Sequence, residues 1–220
     1  MDRLEEALVA FERAHKHNPK LRWVLTRLVV TYANLGRIKD ARNTLRSLIE
    51  YYAGKGVELV NLKTQMYLRP FKDKELERRF ADGLIKAGLP GEPDGYYKIY
   101  QENKLSGAEI KDLVFDKTVS GYDIISGKQW WIKRDYDGNA TYRGPKGYVK
   151  GKIADVEETS DNGKSWVEGN RLYNQWANLF GGLEDCFPIY NNQDGMPEKK
   201  DEYIGVTVYG FVPFSIIESR

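Results

Sequence analysis

Histidine and cysteine are almost missing from this chain. Its 220 residues hold two histidines, His15 and His17, and one cysteine, Cys186. One cysteine excludes an intrachain disulfide and a cysteine-built zinc site. The histidines sit two apart on a predicted helix and point to different faces, so they make no metal pair. No histidine follows His17, which excludes His-dependent triads and His-liganded metals from the C-terminal half. No apolar run reaches the roughly 18 residues of a membrane span. The opening MDRLEEALVAFERAHK is charged and amphipathic, with neither the apolar core nor the cleavage site of a signal peptide. A cytoplasmic protein is expected. No glycine-rich phosphate loop of the P-loop or dinucleotide type occurs. Neither a metal nor a cofactor is expected.

What is present supports ordered structure throughout: 41% hydrophobic and 30% charged residues. The net charge of +2 hides an asymmetry. Residues 1–104 carry 20 Lys and Arg against 14 Asp and Glu, and residues 105–220 carry 14 against 18. The basic residues of the first half are scattered among acids rather than lined up, so a nucleic-acid partner is not expected.

The first half repeats. Ala7, Phe11, Ala14 and Pro19 are followed one period later by Ala41, Leu45 and Leu48, with LVVTYANLGRIKDA between. A spacing near 34 residues is that of a tetratricopeptide repeat. Small residues at Ala7, Ala14, Ala33 and Ala41 let antiparallel helices approach, Gly36 allows the turn, and Pro19 ends the preceding helix. Helices are predicted near 2–17, 21–35 and 38–53. A fourth is predicted in VELVNLKTQMYL. A fifth starts at the N-cap Asp73, carries Leu76, Phe80, Leu84 and Ile85 on one face, and ends at Gly88 and Pro90. The helix that should pair with 2–17 is absent from the sequence. Either the chain is cut from a longer protein, the preferred reading, or a second copy covers that face in a homo-oligomer.

ALVAFERAHKHNPKLRWVLTRLVVTYANLGRIKDAR and YLRPFKDKELERRFADGLIKAGLPGE resemble the C-terminal tetratricopeptide region of bacterial class III adenylate/guanylate cyclases, over roughly residues 4–92. The cyclase catalytic domain, with its paired metal-binding aspartates, has no counterpart here. The resemblance therefore implies a non-catalytic tail that acts through protein contact or regulation.

GLPGEPDGYYKIYQEN reads as an interdomain connection, with Tyr96, Tyr97 and Tyr100 anchoring it to a flanking domain. Beyond it, Ser106 and Glu109 form a capping box opening a short helix, which should plug one end of a strand-rich domain. The period then changes. Eight short strands are expected: KTVSGYDII, KQWWIKRDY, ATYRG, GYVKGKIADVEE, KSWVE, RLYNQWA, CFPIYN and EYIGVTVYGFVPFSII. Turns are expected at Asp137-Gly138, TSDNG, Gly181-Gly182 and NQDG. The fold class is α+β in two domains: a tetratricopeptide-like helical domain over 1–89, a linker over 90–104, and an antiparallel barrel or meander over 105–220. This half is similar to a small β-domain of uncharacterised proteobacterial proteins. That resemblance implies a cysteine where this chain has Tyr173, in phase with Cys186, so any role of such a pair is lost here. Cys186, flanked by Glu184 and Asp185, is expected to be a buried structural thiol.

Chemistry has few places to sit. Asp135 and Asp137, Glu184 and Asp185, and DVEE at 155–158 could supply paired carboxylates for a hydrolase, but acids are ordinary turn formers. The aromatics carry more. Trp130 and Trp131 are adjacent on a strand and face opposite ways, with Trp130, Ile132 and Arg134 sharing one side. Trp130, Trp131, Tyr142, Trp166 and Trp176 are the candidate contacts for a small-molecule ligand. An eight-stranded barrel either fills its interior with side chains or holds one small ligand, and both outcomes stay open. For the helical half, Arg27, Asn34 and Arg37 are the candidate contacts to a protein partner. The leading expectation is a non-enzymatic interaction or regulatory region, with a ligand-binding barrel as the alternative.

Overall fold

The computed structural model describes residues 3–54, 60–93, 95–123, 127–145, 158–192, 201–207 and 210–217. The chain divides into two compact units, one of residues 1–66 and 71–96, the other of 67–70 and 97–220.

The first unit is helical: α1 (Leu4–His17), α2 (Arg22–Asn34), α3 (Ile38–Ala53), α4 (Leu62–Tyr67, its last residue in the second unit) and α5 (Lys74–Lys86). α2 is the hub, packing against α1, α3 and α5. It buries Val24, Leu25, Leu28, Val29, Val30 and Ala33, and a helix apolar on most sides needs neighbours on most sides. α3 buries Ala41, Leu45, Leu48 and Tyr52, one stripe at three- and four-residue spacing. Gly36 takes φ +75° in the α2–α3 turn, where a side chain would be strained. Asp73 caps α5 as expected, accepting from the Glu75 and Leu76 N–H groups.

The buried face of α5 differs from the expected one. Leu84 is buried as expected and Phe80 and Ile85 are half-buried, but Leu76 is exposed, and Glu77, Ala81 and Gly83 are buried in addition. The reason is a close approach at Gly83, where an added Cβ would stand 3.0 Å from Val30 Cγ1 and 3.3 Å from Asn34 Nδ2. The helix turns its smallest residue to α2, and Leu76 goes to solvent.

Among its described residues the second unit carries α6 (Gly107–Val114) and nine strands: β1 (Lys117–Tyr122), β2 (Gln129–Arg134), β3 (Asn139–Pro145), β4 (Glu158–Glu168), β5 (Arg171–Trp176), β6 (Glu184–Phe187), β7 (Ile189–Asn191), β8 (Tyr203–Thr207) and β9 (Gly210–Ile217). All pairings are antiparallel, in the order β6-β5-β4-β3-β2-β1-β9-β8-β7. The two ends of that order, β6 and β7, are one stretch of chain broken only at Pro188. It pairs with β5 and then passes to β8, and the Val206 N–H donates to the Pro188 carbonyl. Proline has no N–H for a ladder, so the partner switch falls where a ladder bond is lost anyway. The result is a nearly closed up-and-down barrel.

TSDNG, expected as a turn, lies inside β4 paired with β3; seven cross-strand partners override its turn-forming composition. The strand expected from GYVKGKIADVEE and the turn NQDG lie almost wholly outside the described residues, as does the start of VELVNLKTQMYL.

α6 opens with the expected capping box of Ser106 and Glu109. It lies at the barrel end made by the β2–β3 and β4–β5 hairpins, since Gly107 sits against the Gly169 carbonyl and Phe115 against Gly138. Ile110, Leu113 and Val114 join Val119, Trp130, Leu172, Phe187, Ile189 and Phe214 in the core. A second cluster forms on the outside of β7–β9, where Tyr97 and Ile99 cover Tyr190, Ile204 and Phe211. Tyr97 is 1% exposed and its hydroxyl donates to Asp201 Oδ2.

Candidate functional site

The strand alternation decides which side chains enter the barrel. On β5, Leu172, Asn174 and Trp176 are buried while Arg171 and Gln175 are exposed. The registers carry that face round the sheet: Trp130, Ile132 and Arg134 on β2, Ala140 and Tyr142 on β3, Asp161, Gly163 and Ser165 on β4, and Asp185 and Phe187 on β6. The candidate aromatics therefore separate. Trp130, Tyr142 and Trp176 point inward, Tyr142 edge-on to Trp176 at 5.8 Å. The Tyr142 hydroxyl donates to the Pro145 carbonyl at 2.5 Å, and burial raises its pKa. Trp131 and Trp166 are on the outer face, Trp166 stacked on Tyr173 at 5.3 Å. The registers set these two far apart: Trp131 aligns through Arg143 with Ser160, six residues and about 20 Å along β4 from Trp166. The five do not form one site.

The interior also holds a polar layer. Arg134 is 2% exposed. Its Nε donates to Ser165 Oγ at 3.0 Å and its Nη2 to Asn174 Oδ1 at 3.1 Å, while Ser165 Oγ donates to Asn174 Oδ1 at 2.8 Å. Nη1 has no partner. Burial alone pushes the guanidinium pKa down to about 9, leaving it charged at neutral pH. The small residues Ala140 and Gly163 lie between Arg134 and Trp176 in the same cross-strand row, and the Trp176 ring fills the space over Gly163. That Arg134 shares a face with Trp130 was legible from their period-two spacing; that this face is the inner one, its two holders, and the orphaned Nη1, were not.

Two acids share the inner face. Asp161 accepts from the backbone N–H groups of Asn162, Asn178 and Leu179 and from the Asn178 amide, fixing the β5–β6 connection. Burial pushes its carboxyl up, and these donors outweigh burial and hold it below the usual range. Asp185, opposite Asn174, is raised by burial, against the lowering effects of the Cys186 N–H and Arg171. Of the other expected carboxylates, Asp135 binds Asn139 in the β2–β3 turn, and Asp137 and Glu184 are exposed. Cys186 is half-buried rather than buried and stands directly opposite Tyr173.

On the helical unit the three expected contacts also part. Asn34 donates to the Arg79 carbonyl at 3.4 Å and so serves α2–α5 packing. Arg37 pairs with Asp40 at 2.8 Å and lies 4.6 Å from the Tyr32 ring centroid. The Tyr32 hydroxyl donates to Glu12 at 2.7 Å and its pKa is pushed up to about 12 by burial and that carboxylate. Arg27 is exposed and lies 5.2 Å from the centroid of Trp23, itself 45% exposed. Trp23, one helical turn before Arg27, was missed by selecting for polarity alone.

Among the described residues no group of three or more His, Cys, Asp or Glu could hold a metal ion, and no helix is long and apolar enough to cross a membrane. No curated protein and no solved structure matches the chain. Residues 1–66 match the model of the tetratricopeptide repeat family, so the α1–α3 region is similar to a repeat whose stacked helices commonly form protein-binding surfaces.

Proposed function

We propose that the chain is a non-catalytic interaction and regulatory region, in which the helical unit docks a protein partner and the barrel is an accessory domain. The carrying observation is the tetratricopeptide match over residues 1–66. The exposed Trp23–Arg27 pair supports a docking role, because tryptophan and arginine dominate binding hot spots. The sequence resemblance of residues 4–92 to the tails of class III nucleotide cyclases supports a cyclase catalytic domain of that class as the first partner to test. The chain would act on it by contact, contributing no catalytic residue. The test is to add the purified chain to a class III cyclase catalytic domain from the same organism and follow cyclic-nucleotide formation. A saturable change in rate, lost in a Trp23→Ala/Arg27→Ala double variant, is expected. No change in rate together with no association by sedimentation contradicts the reading.

A second reading concerns the barrel itself, as a binding domain for a small molecule. The inward-facing Trp130, Tyr142 and Trp176 favour it, since eight-stranded barrels can hold one small ligand.

A further inference from the structure

The barrel interior carries a positive charge that, among the described residues, is held by neutral partners alone. Arg134 is nine-tenths or more buried, and among the described residues its Nη1 has no hydrogen-bond partner. Its two fixed contacts, Ser165 Oγ and the Asn174 amide oxygen, are neutral. An isolated buried charge is costly unless paired, and arginine does not escape by losing its proton. The acids on the same face do not answer it. Asp161 sits four residues along β4 from Ser165, about 13 Å away, and its oxygens are taken by the β5–β6 connection. Asp185 stands opposite Asn174 on β6, and among the described residues no hydrogen bond or ion pair joins it to Arg134.

We propose that Arg134 is the anchor of a ligand site inside the barrel, and that the ligand is a monocarboxylate with an apolar or aromatic body. This rests on reading the barrel as a binding domain. Ser165 and Asn174 lock the guanidinium from its Nε and Nη2 sides and leave Nη1 to meet an acid group, the arrangement that charge-assisted arginine–carboxylate pairing uses. A single negative charge balances a single guanidinium; a phosphate dianion would leave an excess charge buried. Trp176 shares the cross-strand row of Arg134, with Tyr142 against it, so the wall beside the charge is aromatic and suits an apolar body.

The test uses the full chain and three probes: benzoate (charge and ring), benzamide (ring without charge) and inorganic phosphate (charge without ring). Benzoate at a hundredfold excess over its Kd should raise the barrel's thermal midpoint by at least about 5 °C and change the tryptophan fluorescence, with benzamide and phosphate giving little. Arg134→Met, which replaces a buried charge by an apolar chain of similar length and should fold, should lose the benzoate response at least tenfold in affinity. Arg134→Lys, retaining the charge without the fork, should retain part of it. The proposal is overturned if wild-type chain ignores benzoate, if phosphate outperforms it, or if Arg134→Met binds it undiminished. Benzamide binding as well as benzoate overturns the Arg134 site while leaving the barrel a binding domain, and silence toward all three probes removes both.

Discussion

At the residue scale, two acids on the same barrel wall should behave oppositely. Asp161 is held below its usual range by four donors. A depressed folded pKa gives stability that is present above the unfolded value, about 3.9, and is lost as pH falls through the folded value. Asp161→Ala should cost about 1–3 kcal/mol at pH 7 by orphaning those donors, and urea unfolding should find the deficit shrinking below about pH 4. Asp185 has the reverse sign. Burial raises its folded pKa, so its cost is absent below about pH 4 and grows as pH rises through the folded value. Asp185→Asn should therefore raise the thermal midpoint at pH 7 and leave it unchanged at pH 3. The facing of these two acids was not legible, because both fall in stretches that read as turns and the structure places them in β4 and β6. Their pKa directions were not legible either, because donors such as Leu179 come from a connection seventeen or more residues away in sequence.

At the element scale, local chemistry was the most legible. Asp73, Gly36 and the Ser106–Glu109 box do in the structure what their types demand, since caps and turns are fixed by residues within a few positions of one another. Ser106→Ala should lower stability by about 1 kcal/mol, measured by chemical denaturation. Where elements meet, the sequence said less. The face of α5 was misjudged because Gly83, not the larger apolar residues, sets the approach to α2. Gly83→Leu should push α5 from Val30 and Asn34, cost about 1–3 kcal/mol, and speed amide exchange in α5 more than in α3. TSDNG was misjudged for a related reason: its neighbours across the sheet, not its own composition, decide its state.

At the scale of the whole molecule, the division into helices and strands followed from a change of period and the barrel from the run of short strands, while the point at which the barrel closes did not. The handover at Pro188 requires knowing that β5 and β8 flank the same stretch of chain. The connection between the two periods also belongs to the fold more fully than its glycines and prolines suggest, since Tyr97 and Ile99 are core residues of the second unit. A fragment of 97–220 should be more stable than one of 105–220 by roughly 3–5 kcal/mol, the scale of losing buried aromatic and aliphatic side chains; paired denaturant titrations would read the difference. For function, the central claim is that a protein partner meets the helical unit. A photo-crosslinking residue in place of Trp23, on α2, compared in cells with one in place of Tyr136, which is 86% exposed in the β2–β3 turn, tests it most directly. A discrete adduct from position 23 that vanishes with Arg27→Ala, and none from position 136, is the expected result. An adduct from position 136 alone, or from neither, contradicts it.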